Sequence, residues 1–236
     1  MTQELAQRPL AALRMLDTCL VSSAIDRLHI RLANEGYADS QIRCQFKNLG
    51  PMVGYAVTAK IHTAATPMAG RRIIERRELW ESVLTIPEPR VLVLQDVDRQ
   101  PGKGAFLDLE RATIALRLGC VGAVTNGAVR ELPRIIPLGF QLFSKGISVS
   151  RAYSHVAEVG TPVELGGLTV RPGDLLHGDI QGLLSVPREA VSQIPKAALQ
   201  VLEDQRRITD LCSSSDFSLS KLWEVLRILD DGPDGK

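Results

Sequence analysis

Leu118-Gly-Cys-Val-Gly-Ala-Val-Thr-Asn-Gly-Ala-Val-Arg-Glu-Leu-Pro133 is the stretch that decides the fold. Val121 to Thr125 is apolar and β-branched without alternation, the pattern of a strand covered on both faces. Asn126-Gly127 predicts a sharp turn, because both residues tolerate positive φ. Arg130 and Glu131 follow at once. Charges just past a buried strand stand where α/β proteins place their ligands. The plain alternative is a surface ion pair, which contributes little to stability.

Outward from this strand the pattern is βαβ. Leu107 to Leu118 is an amphipathic helix with Asp108 and Glu110 in its first turn, where acids favour the helix dipole, and Gly119 as its C-cap. Val91 to Gln95 is a second buried strand, and the crossover between the two is right-handed. Asp96 and Asp98 then either serve a metal or cap the next turn. Gln100 to Gly104 lacks the spacing of a phosphate-binding loop.

On the N-terminal side, Val53 to Ile61 alternates and is rich in β-branched residues, so it reads as a strand. Thr58, Lys60 and His62 share one face of it, as a polar pocket wall or as a solvated face. Leu10, Leu13, Leu16 and Leu20 have helical spacing, Asp17-Thr18 interrupts, and Ser22-Ser23 caps a second helix over Ala24 to Leu32. Asp26 and Arg27 fall on the polar side of that helix. Arg71, Arg72, Arg76 and Arg77 form a basic run, suited to an anionic substrate or to a solvated helix face. Pro87 and Pro89 end the helix that follows.

On the C-terminal side, Gly139 to Phe143 and Thr161 to Thr169 read as strands, with a hairpin turn at Gly166-Gly167. Leu175 to Pro187 gives two short strands around a turn. There, His177 and Asp179 read as parts of a hydrogen-bonded structural turn in preference to an acid–base pair. Arg188 to Thr209 is helical and broken at Pro195. Ser218 to Leu229 is a last helix with Leu219, Leu222, Trp223, Leu226 and Leu229 on one side, and the tail Asp230 to Lys236 is expected to be disordered. The reading is therefore one domain over 1–212 with its core over about 12–195, then linker, helix and tail over 213–236.

The 236 residues carry a formal net charge of +1, which gives no electrostatic case for nucleic acid or a membrane surface. No apolar run spans a bilayer, and the N-terminus lacks the apolar segment of a signal peptide. Aromatics make up 4% of the chain, so the core is built from Val, Leu, Ile and Ala. Cys19, Cys44, Cys120 and Cys212 have no metal-type spacing and read as reduced, mostly buried thiols of a cytoplasmic protein.

Four stretches together resemble the RraA-like family, which holds regulators of ribonuclease E activity and 4-hydroxy-4-methyl-2-oxoglutarate/4-carboxy-4-hydroxy-2-oxoadipate aldolases. Leu16-Asp17-Thr18 through Asp26-Arg27-Leu28 looks like its opening helices, and Val91 to Asp98 like its central strand. Gly119 to Glu131 is similar to its Gly-x-x-Gly-x-Val-x-Asp-Gly-x-Val-Arg-Asp signature. Leu168 to Pro187 looks like its Gly-Asp-x-x-x-x-Asp-x-x-Gly-Val-x-x-x-Pro ending. The resemblance implies a three-layer ββα sandwich of the swivelling-domain type, here with extra C-terminal helices. It also implies assembly as a homotrimer or dimer of trimers, with the site in a cleft between subunits.

For aldolase members it implies a divalent metal, Mg²⁺ or Mn²⁺, held by one acid and waters, and an arginine that grips a small 2-oxo acid. A cation beside the developing enolate lowers the barrier electrostatically. The arginine carries over as Arg130, catalytic and substrate-binding, and the metal ligand falls on Glu131, where the family has Asp. Lys60 is a further substrate-binding candidate. Three family acids fall on Leu109, Asn126 and Gln181, so the metal is expected to bind weakly if at all. The expected activity is a metal-dependent aldolase or oxaloacetate decarboxylase; a non-catalytic binding regulator is the alternative.

Overall fold

The computed structural model describes residues 9–67 and 74–231. Its centre is a nine-stranded mixed sheet in the order β1-β6-β5-β3-β2-β10-β11, with β4 on β5 and β7 on β2. The strands are β1 (Arg43–Cys44), β2 (Met52–His62), β3 (Arg90–Asp96), β4 (Ala105–Leu107), β5 (Cys120–Val129), β6 (Gln141–Ile147), β7 (His155–Val159), β10 (Leu175–Asp179) and β11 (Gly182–Val186). β2, β3, β5 and β6 run parallel. β8 (Val163–Leu165) and β9 (Leu168–Val170) form a separate hairpin. Its Gly166 and Gly167 turn at φ 56° and 76°, where other residues are strained.

The apolar run of β3 is explained by its two covered faces. Leu92 and Leu94 pack with Leu79 and Val83 of helix α2 (Arg76–Val83) and with Ala112 and Ala115 of helix α3 (Leu109–Arg117). Val91 and Val93 pack instead with Val163, Leu165, Leu168 and Val170 of the hairpin. Helices, large sheet and hairpin are the three layers of the expected ββα sandwich. The short helix α4 (Leu132–Ile135) follows β5, and a third cluster joins α1 (Thr18–Arg27) to α5 (Ile194–Ser213) through Val21, Ala24, Ile25, Ile194 and Ala198, over Val53 and Leu184.

Several local expectations are corrected. α1 begins at Thr18, because the Asp17 carboxylate accepts the Leu20 N–H at 2.8 Å and caps the helix; Ser22-Ser23 lies inside it. α3 begins at Leu109, because buried Asp108 is its N-cap, and the residues before it form β4. α2 stops at Val83, before Pro87 and Pro89. Pro195 opens α5 in place of breaking it, since a proline in the first turn sacrifices no intrahelical hydrogen bond. Cys120 is buried, but Cys19 and Cys212 are exposed and Cys44 is intermediate, against the expectation of mostly buried thiols.

α6 (Leu219–Asp231) lies against α5, while Trp223 stays 61% exposed. The basic residues Arg71 and Arg72, residues 1–8 of the N-terminus and residues 232–236 of the tail lie outside the described residues. Arg76 and Arg77 are solvated and pair with Glu110 and Glu81. Among the described residues no helix is long and apolar enough to cross a membrane.

Candidate functional site

β5 does not turn at Asn126-Gly127. The Asn126 side chain takes over the pairing with β3: its Oδ1 accepts the Asp96 N–H at 2.7 Å, and its amide donates to the Asp96 carbonyl at 3.1 Å. One amide side chain thus stands in for a rung of the ladder, and the pairing with β6 shifts register between Thr125 and Ala128. A Cβ on Gly127 would stand 3.3 Å from the Asp96 carboxylate, a fit that favours glycine. β5 then runs on to Val129, and the Arg130 N–H donates to the Leu107 carbonyl at 3.1 Å.

Glu131 follows in the left-handed region, φ 59° and ψ 31°, which is costly for a residue with a Cβ. That turn aims its carboxylate back at the start of α3. Oε2 accepts the Leu109 N–H at 3.2 Å, and Oε1 accepts from Arg134 at 3.0 Å. Glu131 therefore pairs with Arg134 and the helix end, not with Arg130, so the simple Arg130–Glu131 surface pair does not form. The Nε of Arg130 is buried without a hydrogen-bond partner among the described residues.

Asp108 is fully buried at the N-terminus of α3. It accepts the Arg111 N–H at 3.1 Å and pairs with the guanidinium groups of Arg111 and Arg151. Burial lowers the pKa of Arg111, against the opposing pull of Asp108. Asp108 is thus a structural anchor, and its neighbour Leu109 offers only its backbone N–H to Glu131. Gln181 lies in the β10–β11 turn, where its N–H donates to Asp179 at 2.8 Å.

Lys60 stands apart from this loop. It pairs with Glu158 at 2.8 Å and lines a cavity of about 740 Å³ with His62, Asp98, His155 and Glu164, a wall that includes neither Arg130 nor Glu131. Of the shared face on β2, Lys60 and His62 line this cavity. Thr58 is buried and donates to the Thr161 carbonyl at 2.7 Å. Asp96 and Asp98 hold turns: Asp96 accepts from Thr63 and Gly102, and Asp98 from Thr63 and Ala64. His177 is buried between Thr18 and the Leu13 carbonyl, a structural role.

Among the described residues no three His, Cys, Asp or Glu side chains converge as a metal cage. Glu131 offers one carboxylate with both oxygens already accepting hydrogen bonds and a cation beside it. Mg²⁺ dehydrates reluctantly and wants well-placed oxygens, so this arrangement does not fit a firmly held ion. Arg134 went unread in the sequence although its i,i+3 spacing from Glu131 announced it. His155 gave no local signal, because it meets β2 from 93 positions away (His62 to His155).

The family model described as RraA-like: Aldolase/RraA matches residues 18–184. The chain belongs to the RraA-like family. A candidate 4-hydroxy-4-methyl-2-oxoglutarate aldolase of Halalkalibacterium halodurans is 29% identical to this RraA-like chain over 96 residues, 40% of the chain and 46% of that protein. Protein DlpA of Legionella pneumophila is 29% identical over 139 residues, 58% of the chain and 22% of that protein. The chain thus spans less than half the length of these two curated relatives. Among solved structures, an uncharacterised Pseudomonas syringae protein superposes with a TM-score of 0.70 at 24% identity, over 94% of this chain and 93% of that one. RraAS2 of Streptomyces coelicolor, an unusual member of the RNase ES inhibitor RraA protein family, superposes at 0.65 with 21% identity, over 85% and 96%. At these identities the structural likeness shows the fold, a large mixed sheet with helices.

Proposed function

We propose that the Arg130 loop binds the carboxylate of a small 2-oxo acid, and that the chain is a slow lyase of the RraA-like type that cleaves or decarboxylates it, working as a homotrimer or dimer of trimers. The observation that carries this is the buried, unpartnered Nε of Arg130. An unmade hydrogen bond at a buried charged donor costs free energy. A carboxylate satisfies it with two parallel charge-assisted bonds.

In oxaloacetate, the bond to the leaving carboxyl breaks, CO₂ departs, and its electron pair stays on the remaining carbons as the enolate of pyruvate. The fixed charge of Arg130 stabilises that enolate, which then takes a proton from water. Glu131 is tied to Leu109 and Arg134, so Mg²⁺ or Mn²⁺ has weak purchase there and no step is assigned to it.

The test is pyruvate binding by calorimetry with oxaloacetate decarboxylation in parallel, in the parent and in Arg130→Ala. Weak turnover and binding that both vanish in the variant support the reading. Binding indifferent to Arg130→Ala ends it. The same committed carboxylate favours the second reading, a non-catalytic ligand-binding regulator, which predicts Arg130-dependent binding without turnover.

A further inference from the structure

The cavity on the hairpin side of β2 holds two histidines that face each other across an antiparallel strand pair. His62 on β2 and His155 on β7 are register partners, with ring centres 5.3 Å apart and an interplanar angle of 30°. Each ring has its Nδ1 fixed. His155 Nδ1 lies 2.8 Å from the Tyr153 carbonyl, which can only accept, so Nδ1 carries the proton. His62 Nδ1 lies 2.7 Å from Asp98 Oδ1.

Asp98 is an acceptor as well. Its other oxygen takes the N–H groups of Thr63 and Ala64, each at 2.6 Å. His62 must then donate from Nδ1. The consequence for both rings is the same: with Nδ1–H committed, Nε2 carries the free lone pair.

We infer that His62 and His155 form a bis-imidazole site for a borderline transition-metal ion such as Zn²⁺, with its remaining positions open to the cavity. Metal-bound histidines characteristically donate their second ring N–H to a carboxylate or a backbone carbonyl, which orients the ring and raises its basicity. Here one ring has each kind of partner. Zn²⁺ bonds imidazole nitrogen at about 2.0–2.1 Å, and the stacked rings, 5.3 Å between centres, put both imidazoles within reach of one ion. Imidazole nitrogen selects Zn²⁺, Cu²⁺ or Ni²⁺, whereas Mg²⁺ prefers oxygen.

No third His, Cys, Asp or Glu completes a closed cage among the described residues. The other positions belong to water or an anionic ligand in the cavity of about 740 Å³, where Lys60, held by Glu158, lines the same wall. An open position of this kind marks a reactive ion more than a structural one. The site is independent of Arg130 and Glu131.

The full-length chain is titrated with Co²⁺, followed by its visible absorption, and with Zn²⁺ by calorimetry near neutral pH. One ion per chain is expected. His62→Ala and His155→Ala each weaken binding at least about tenfold, and Asp98→Asn, which loosens the ring without touching the ion, by about 10–100-fold. Asp98 also anchors the turn at Thr63 and Ala64, so if Asp98→Asn fails to fold, His155→Ala on the other strand decides. Glu131→Gln and the Cys19→Ser/Cys212→Ser pair are expected to leave binding unchanged. Absence of binding in the parent, binding that survives both histidine variants, or binding that disappears with the thiols overturns the site. None of these outcomes bears on pyruvate binding at Arg130.

Discussion

The Glu131 carboxylate accepts the backbone N–H of Leu109 at 3.2 Å. Leu109 is the position where the family resemblance places an acid. With no carboxylate there to repel it, Glu131 settles on the positive end of α3, where N–H groups and the helix dipole favour an anion. Arg134 occupies its other oxygen at 3.0 Å. In the proposed reading, the leucine at 109 and the capture of Glu131 by the helix end act together against metal binding.

Restoring oxygens is therefore expected to restore affinity. Leu109→Asp is predicted to repel Glu131 from the helix end and to offer a second carboxylate. Mn²⁺ affinity and Mn²⁺-dependent oxaloacetate decarboxylation are both expected to rise, by about tenfold or more, on the scale that small shifts of a catalytic group carry. Glu131→Asp in the same background brings a further gain. Calorimetry and a decarboxylation assay check this, and a double variant no better than the parent contradicts it.

Asp108 is predicted to matter for stability instead of chemistry. It is fully buried and pairs with both Arg111 and Arg151 while capping α3. Removing one partner of a buried pair leaves an uncompensated charge, at about 3–5 kcal/mol. Asp108→Ala is expected to lower the denaturation midpoint in urea by that equivalent. A loss below about 1 kcal/mol, the size of a simple cap, would show that solvent reaches Arg111 as it already reaches Arg151.

The layers were legible because apolar runs without alternation, as in Val91 to Leu94, need two covered faces. The Gly166-Gly167 hairpin and the Arg130–Glu131 position past β5 were legible for equally local reasons. The continuation of β5 was not. Asn126-Gly127 has turn chemistry, and only the spatial neighbour Asp96, which exchanges two hydrogen bonds with the Asn126 amide, keeps the strand going. The His62–Asp98 pair was half visible, since both residues were noticed, but on separate elements. His155 was invisible because β7 pairs with β2 across a long stretch of chain, and sequence periodicity has no access to that register.

Assembly offers a direct check on the proposed trimer. α6 leaves Leu219 and Trp223, one turn apart on the same face, each 61% exposed, and monomers seldom expose a sizeable apolar patch. Sedimentation equilibrium is expected to return three or six times the 25.8 kDa chain mass. A stable monomer at micromolar concentration contradicts the trimer.

His177 predicts how stability depends on pH. The ring is fully buried. Its Nε2 lies 3.0 Å from the Leu13 carbonyl, so Nε2 donates, and Nδ1, 3.1 Å from the Thr18 hydroxyl, accepts. Burial lowers its pKa, and the bond to Leu13 and the charge of Asp179 oppose that without reversing it. The folded pKa then lies below the unfolded value of about 6.5. Between the two, the unfolded chain binds more protons, so stability rises with pH. The contribution is complete above about pH 6.5 and is lost as pH falls below it. Asp98, shifted down to about 2, acts in the same direction but only at far lower pH, as its carboxylate protonates. Between pH 7 and pH 5 the melting temperature of the parent is therefore expected to fall. In His177→Gln, whose amide can donate to Leu13 and accept from Thr18, the fall is expected to be shallower. Parallel curves for parent and variant would place the pH sensitivity in another group.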